Sequence, residues 1–383
     1  MNAYSGLRKS LTAAGLCLLA VAGVALPGSP ASRRARAKGP VLQVSHPVSY
    51  KNLTLFPIRA SGARSTDDYI TLDEGIKNGT IVITEKGSTQ PTARRVLDHR
   101  GNQRVVMRES SGASVNELAL INRSGKKLLL LAGEVIVGGK QDRIVEEDLI
   151  VPPISVPVSL SVFCVEHGRW QHRAARASGS SNMQSNRIAR REVVVGGQDA
   201  PDKFSTLGAI SHPKLRAAAQ DTKQQSEVWK EVTANNARLG TSNTTDTYQE
   251  VYQNAQVGAT MEQYLSALER ELTGPGIVGV VVARNGELVW IDRFASPALF
   301  AKYWPKLLKS YVIDALGEQL TDKRPTVEQA QRYLTEGGGR ISAKTREGVY
   351  RLYKTETPRY ATFHLEDISL SAPVLLHFNK MER

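Results

Sequence analysis

Short apolar runs separated by turn residues fill the chain from residue 41 to about residue 170. They are rich in Val, Ile and Leu and are bounded by Gly, Asn, Ser or Pro, which is typical of strands joined by tight turns. Eight such runs predict an antiparallel β-sandwich or barrel-like sheet. The predicted strands are 53–58, 80–85, 104–108, 117–121, 127–131, 135–137, 144–152 and 156–165, with a helical turn at 72–77.

The middle of the chain has a different composition. Residues 171–212 are dominated by Arg, Ser, Gly, Asn and Gln, which predicts a long mobile loop. From 213 to 272 the apolar residues recur at helical spacing, so a helical segment is predicted there. The clearest stripe consists of Met261, Tyr264, Leu265, Leu268 and Leu272, and such a stripe is typical of core packing.

The C-terminal third predicts a hairpin, helices and closing strands. Asn285-Gly286 between two apolar runs is typical of a type I′ turn, so 277–283 and 287–291 form the predicted hairpin. Ser296-Pro297 predicts a helix start, and Pro305 predicts a kink or an interruption in that helix. A capping box at Thr326 predicts another helix. Strands are predicted at 349–354, 360–365 and 374–378.

This order of elements predicts the α+β class. The N-terminal sheet would carry a helical insert, a β-hairpin, and C-terminal helices and strands. Because the last strands are expected to return to the first sheet, residues 41–383 are interpreted as one domain. A 383-residue chain with 41% hydrophobic and 23% charged residues is ordinary for a globular protein.

The N-terminus has the order of a secretory signal peptide. Arg8 and Lys9 precede an apolar stretch at 11–26, and small residues and prolines follow. Residues 1–37 are therefore interpreted as a signal peptide with a basic tail, and the protein as secreted or periplasmic. An uncleaved N-terminal anchor is the alternative. No other stretch approaches membrane length, so no transmembrane helix is predicted for the mature chain.

The charge and cysteine content narrow the expected partners. A formal net charge of +13 favours an anionic small-molecule ligand, while no zinc-finger or RRM pattern signals nucleic acid. Without the signal, Cys164 is the only cysteine, and we expect a buried apolar side chain there. Cys164 and His167 would point in opposite directions from a strand, which argues against a catalytic dyad. The sequence predicts no particular cofactor or oligomeric state.

The densest group of chemically capable residues lies between positions 128 and 170. Gly138-Gly139 allows a sharp turn and a close backbone approach to a ligand. Candidate ligand-binding residues follow at Lys140, Gln141, Asp142 and Arg143, and further along at Arg169 and Trp170. If their strands are neighbours, Glu134 and Glu166 would flank the pocket as catalytic carboxylates. The alternative is a polar hairpin turn closed by an Asp–Arg or Glu–Arg ion pair.

Other chemistry is not indicated. No His-Glu-x-x-His or paired-cysteine spacing predicts a metal site. No phosphate-binding glycine loop and no nucleophile elbow occurs either. His364 and His377 are expected to be core histidines, and the segment after Asp292 is expected to cap a helix.

Several of these segments together resemble the ARPP-1 family, the ADP-ribosylglycohydrolase and rhodanese-phosphatase-associated proteins. The resemblance spans roughly residues 44–377 and implies ADP-ribose, NAD or phosphate-ester metabolism by association. Its motifs are Gly133-Glu134, Gly138-Gly139-Lys140-Gln141-Asp142-Arg143, Pro152, Cys164-Val165-Glu166-x-Gly168-Arg169-Trp170, Asp292-x-Phe294-Ala295-Ser296-Pro297-x-Leu299-Phe300 and Lys306-Leu307-Leu308-x-Ser310-Tyr311.

Two functions follow as hypotheses. The first is an exported hydrolase or binder of a phosphate-bearing or ADP-ribose-like ligand. The second is a non-catalytic, envelope-associated ligand-binding or structural module. Convergence of Glu134, Arg143, Glu166 and Arg169 in one cleft would favour the first.

Overall fold

The structure is a computed structural model that describes residues 41–62, 64–86, 93–97, 103–107, 116–139, 141–167 and 204–383, with backbone alone for 93–97 and 103–107. Its helices lie where the sequence predicts them, from residue 72 and between residues 213 and 335. They are α1 (Leu72–Lys77), α2 (Pro213–Ala217), α3 (Gln225–Leu239), α4 (Glu250–Gln253), α5 (Ala255–Leu268), α6 (Pro297–Ala315) and α7 (Val327–Thr335), with a π turn at Ala218–Thr222 and a 3₁₀ turn at Glu269–Leu272.

A nine-stranded antiparallel sheet contains both the first and the last strands of the described residues. The C-terminal strands do return to the N-terminal ones, because the predicted hairpin, now observed as Ile277–Arg284 and Glu287–Phe294, lies between them. In spatial order the strands are β1 (Leu42–Val44), β3 (Leu53–Ala60), β15 (Ile277–Arg284), β16 (Glu287–Phe294), β20 (Val374–Glu382), β19 (Tyr360–Asp367), β18 (Tyr350–Glu356) and β17 (Arg340–Arg346), with β2 (Val48–Tyr50) also pairing with β3.

Three smaller sheets complete the strand inventory of the described residues. They and the helices confirm the α+β prediction. The order is β14 (Phe204–Ile210), β10 (Glu134–Gly138), β11 (Arg143–Val145), β13 (Ile154–Cys164), β8 (Glu117–Asn122), β5 (Ile81–Glu85) in one; β12 (Leu149–Val151), β9 (Lys127–Leu130), β4 (Tyr69–Ile70) in the second; and β6 (Ala93–Leu97) with β7 (Gln103–Met107) in the third.

The large sheet separates two apolar cores, because successive side chains of a strand point to opposite faces. Leu53 and Leu55 of β3 belong to the larger core, which also takes up α5 and α6. Phe56 and Ile58 of the same strand belong to a smaller core that is covered by α7. The two faces of this sheet therefore support two separate sets of side chains.

Local signals in the C-terminal third are confirmed. Asn285 and Gly286 have φ angles of +52° and +84°, as a type I′ turn requires. Ser296 Oγ accepts a hydrogen bond from Leu299 N at 3.0 Å and caps α6. The predicted interruption at Pro305 is wrong, since helix α6 continues past this proline. The residues that follow Pro305, such as Leu307 and Leu308, are buried, and their packing stabilises the helix.

Several strand predictions need correction, and the short strands β1, β2, β4 and β6 were not predicted. The predicted strand 144–152 is two strands, because Glu146, Glu147 and Asp148 break it. Strand β14 occupies part of the predicted loop, whose residues 171–203 lie outside the described residues. Strand β17 was missed because six of its seven residues are exposed, so no alternation marks it. None of the described helices is long and apolar enough to span a membrane.

Candidate functional site

A tight turn between β9 and β10 positions Glu134. Its carboxylate folds back so that Oε2 accepts a hydrogen bond from Leu131 N at 2.9 Å. Gly133 has φ +83°, and a Cβ there would come within 2.5 Å of Arg216 Cγ and Ser211 Oγ. Only glycine fits this turn without displacing its neighbours.

Glu134, Lys306 and Asp73 form a buried acid–lysine–acid group. The Lys306 ammonium, on α6, donates to Glu134 Oε1 and to Asp73 Oδ2, the latter at 2.5 Å. Asp73, at the start of α1, also accepts a hydrogen bond from Thr206 Oγ1 at 2.6 Å. The side chains of Glu134 and Lys306 are only 2% and 5% exposed, whereas that of Asp73 is 36% exposed. The group therefore reaches solvent through Asp73.

The two carboxyl groups of this cluster are shifted in opposite directions. Burial raises the pKa of Glu134, although Lys306 opposes the shift. Burial also tends to raise the pKa of Asp73, but the charge and the hydrogen bond of Lys306 outweigh this effect. The pKa of Asp73 is therefore lowered. The two carboxylates in turn raise the pKa of Lys306 against its own desolvation. Divergent pKa values in neighbouring carboxyl groups are typical of acid–base sites.

Arg143 lies in a second buried group, away from Lys306. Its Nη2 donates to both carboxylate oxygens of Glu85, at 3.1 and 2.9 Å, and its Nη1 donates to the carbonyl of Gln141 at 3.0 Å. Arg143 is 1% exposed and Glu85 is 3% exposed. Gly139 is needed beside them, since a Cβ there would lie 2.4 Å from the Phe204 ring and 2.6 Å from Glu85 Oε1. Within the described residues, Arg143 is matched by a protein carboxylate.

Glu166 lies next to Asp142. Its Oε2 accepts a hydrogen bond from Asp142 N at 3.3 Å, and its backbone forms an isolated bridge with Thr247. The Asp142 carboxylate accepts from Gly138 N at 3.3 Å and from Thr247 Oγ1 at 3.2 Å. Glu134 and Glu166 therefore have different partners.

Of the remaining predicted ligand-binding residues, the structure describes Gln141 alone. Gln141 is buried, and its Oε1 has no hydrogen-bond partner within the described part of the chain. Lys140, Arg169 and Trp170 lie outside the described residues. The structure thus brings Gln141, Asp142, Arg143 and Glu166 into one region, whereas Glu134 belongs to the Lys306 cluster.

Sequence reasoning missed a buried charge chain beside Glu134. Asp148 Oδ2 lies 2.6 Å from His377 Nδ1, and Asp292 Oδ1 lies 3.0 Å from His377 Nε2. Arg216 donates to both oxygens of Asp292, at 2.8 and 2.9 Å. Asp148 also accepts a hydrogen bond from Ala132 N at 2.8 Å, so the chain is attached to the turn before Glu134.

The four side chains of this charged group are fully buried. Asp148, Asp292, His377 and Arg216 are all 0% exposed. Burial lowers the pKa of His377, but the two carboxylates outweigh it and raise that pKa overall. Burial is likewise outweighed at Asp292, where Arg216 and His377 hold the pKa well below its usual range. This group of four charged side chains holds the 131–134 turn in position. The motif around Asp292 was the only sign of it in the sequence.

Cys164 and His167 do not form a dyad. The Cys164 Sγ exchanges weak contacts with the backbone of Glu166, and burial raises the pKa of the thiol. His167 instead packs edge-on against Trp229, with ring centroids 4.4 Å apart. Among the described residues, no group of three His, Cys, Asp or Glu side chains is placed to hold a metal ion.

Together, the fold and the site define an α+β protein with a partly exposed acid–lysine–acid cluster. The family model for the ARPP-1 domain, the "ARG and Rhodanese-Phosphatase-superfamily-associated Protein domain", matches residues 41–377. The chain therefore belongs to this family. Searches of curated proteins and of solved structures find no match.

Proposed function

We propose that this protein is a hydrolase that acts on a phosphate-bearing or ADP-ribose-like ligand at the Asp73–Lys306–Glu134 cluster. One observation carries the proposal: two carboxyl groups with opposite pKa shifts share one lysine, and one of them reaches solvent. The family's named association with ADP-ribosylglycohydrolases and phosphatases supports the ligand class. The net charge of +13 supports an anionic substrate, because it attracts anions over long range.

Each residue of the cluster has a distinct role in this proposal. Asp73 is the general base that accepts a proton from the attacking water, since it is the more solvent-exposed of the two carboxylates. Lys306 keeps Asp73 ionised through a 2.5 Å hydrogen bond. Glu134 is a positioning residue that holds the ammonium from the buried side. In the same scheme Lys140 and Arg169 remain the predicted anion-binding residues.

The test is an Asp73→Asn substitution assayed against ADP-ribose and a panel of phosphate esters. Removing a general base costs typically about 10²- to 10⁴-fold in rate, and we expect a loss of that size in kcat/KM. Asp68→Asn is the matched control, because Asp68 is an exposed carboxylate five residues earlier. Full activity of the Asp73→Asn variant, or no turnover of any substrate by the unmodified protein, contradicts the hydrolase proposal.

Glu134→Gln separates a positioning role from a merely structural one. Without the Glu134 charge, Lys306 interacts with Asp73 alone, and the pKa of Asp73 falls further. The acid limb of the pH–rate profile should therefore move to lower pH, which a loss of folded protein alone would not produce. An unchanged profile at reduced rate argues against this role.

The second candidate is a non-catalytic ligand-binding or structural module associated with the envelope. The pairing of Arg143 with Glu85 favours it, because a buried guanidinium already matched by a carboxylate is not open to an anion. This candidate predicts that ADP-ribose raises the melting temperature but is not consumed over long incubation.

We also propose that the chain is exported. The support is the charged, apolar and small-residue order of residues 8–31. Expression in a bacterial host, followed by mass spectrometry of the product outside the cytoplasm, should show loss of the N-terminal segment. An intact chain in the membrane fraction supports an anchor instead, and an intact cytosolic chain contradicts export.

A further inference from the structure

A cavity of about 790 Å³ lies at the edge of the smaller core. Its walls are the tip of the β15–β16 hairpin, helix α7, the start of β19 and the end of β20. The volume is within the range of small-molecule sites, about 300–1,000 Å³. Because α7 covers the sheet face opposite the core that holds α6, this cavity is separate from the Asp73–Lys306–Glu134 cluster.

Lys380 makes the cavity wall rigid. This lysine is 0% exposed, and its ammonium lies 3.7 Å from the centroid of the Tyr360 ring and 4.4 Å from that of Tyr333. It also donates to the Tyr333 carbonyl at 2.8 Å and to the Glu336 carbonyl at 3.2 Å. Cation–π contacts are stronger for a desolvated lysine than for an exposed one, so both tyrosine rings are held in place.

Three charged side chains that line the cavity form no ion pair within the described residues. Glu287 and Glu382 both line it, and neither carboxylate has a hydrogen bond or ion pair within the described part of the chain. Burial and the nearby Glu287 raise the pKa of Glu382, and the charges of Arg284 and Arg359 oppose this shift only in part. Arg332, on α7, also lines the cavity without an ion-pair partner among the described residues, whereas Arg359 lies 3.6 Å from Glu336.

A neutral polar group completes the wall. Tyr333 is 8% exposed, and its hydroxyl has no hydrogen-bond partner among the residues that the structure describes. A buried hydroxyl without a partner is destabilising, and a ligand atom that bonds it would remove that cost. This observation is independent of the acidic pair.

We propose that this cavity binds a small zwitterion of the amino-acid or short-peptide type. The ammonium group lies between Glu287 and Glu382, the carboxylate meets Arg332, and a polar ligand atom bonds the Tyr333 hydroxyl. An organic ammonium suits a pair of carboxylates, since its N–H groups can donate a charge-assisted hydrogen bond to each of them. The proposal does not rest on the hydrolase function.

The test uses trialanine as the probe, with calorimetric titration of the purified protein. Trialanine carries both terminal charges, N-acetyltrialanine lacks the ammonium, and trialanine amide lacks the carboxylate. We expect trialanine to bind and each blocked peptide to bind about tenfold more weakly, the effect of one charge-assisted hydrogen bond. Equal binding of the N-acetyl peptide, or no binding of trialanine at millimolar concentration, overturns the proposal.

Variants locate the binding. Glu287→Gln and Arg332→Gln should each weaken trialanine about tenfold, whereas Glu271→Gln, an exposed carboxylate on the 3₁₀ turn, should not. Tyr333→Phe should leave the unfolding free energy unchanged, because the hydroxyl has no partner, yet weaken binding about fivefold. Equal weakening in Glu271→Gln would mean non-specific attraction and would overturn the proposal. Asp73→Asn should retain trialanine binding, so the two proposals can fail separately.

Discussion

Gly133 lies between the Glu134–Lys306–Asp73 cluster and the buried group of Asp148, His377, Asp292 and Arg216. On one side of it Leu131 N bonds to Glu134, and Ala132 N bonds to Asp148. A side chain at Gly133 would collide with Arg216, the residue that neutralises Asp292. One turn thus sets the position of the Glu134 carboxylate and packs against the framework behind it. The chemical properties of Glu134 therefore depend on residues that never touch its carboxylate.

His377 should make stability depend on pH. The pKa of His377 is raised in the folded protein, so its contribution is complete below the ordinary histidine value of about 6.5 and is lost as pH rises through the folded pKa. Urea unfolding between about pH 5 and pH 9 should show a falling free energy of unfolding on the alkaline side.

Substitution of His377 tests the same point directly. His377→Gln leaves Asp148 and Asp292 without their shared cation, so we expect a loss of about 3–5 kcal/mol, the cost of breaking a buried ion pair. His46→Gln is the control, because His46 is exposed. A pH profile that is identical with and without His377 would contradict the assignment.

Local elements of the chain were the easiest to predict. The Asn285-Gly286 hairpin, the Ser296 cap and the Thr326 capping box depend on contacts within about four residues, and all three are confirmed. Strands β14 and β17 were missed for the opposite reason. Their existence depends on pairing with β10 and β18, and β17 lacks an apolar face that would mark it in the sequence.

Alanine substitution at two turn glycines should lower the free energy of unfolding by different amounts. Gly286→Ala places a Cβ 2.4 Å from Lys323 Cβ, in addition to a positive φ. We expect a loss of about 2–4 kcal/mol, which combines the left-handed strain with overpacking. Gly125→Ala has the same strain in open space and should cost only about 1–2 kcal/mol. Chemical denaturation measures both, and equal losses would mean that the Lys323 segment moves aside freely.

Across the entire chain, topology decides which charges meet. Strand β20 enters the large sheet between β16 and β19, and this placement brings His377 to Asp292, 85 residues away, and to Asp148, 229 residues away. The same packing brings Lys306 of α6 to Asp73 of α1, 233 residues apart. No local pattern encodes such pairings, because they depend on how sheets and helices stack.

The amino-acid sequence determined the α+β class, most of the strands and helices, the hairpin, the caps and the family. These properties follow from backbone preferences and apolar periodicity, which act over a few residues. It also singled out Glu134, but the expected partner was Glu166, whereas the tertiary structure places Lys306 and Asp73 beside it. Tertiary structure alone decided that Arg143 is matched by Glu85 and that His377 lies between two aspartates, which raise its pKa. Electrostatic energies depend on distance and burial, and both exist only once the chain has folded.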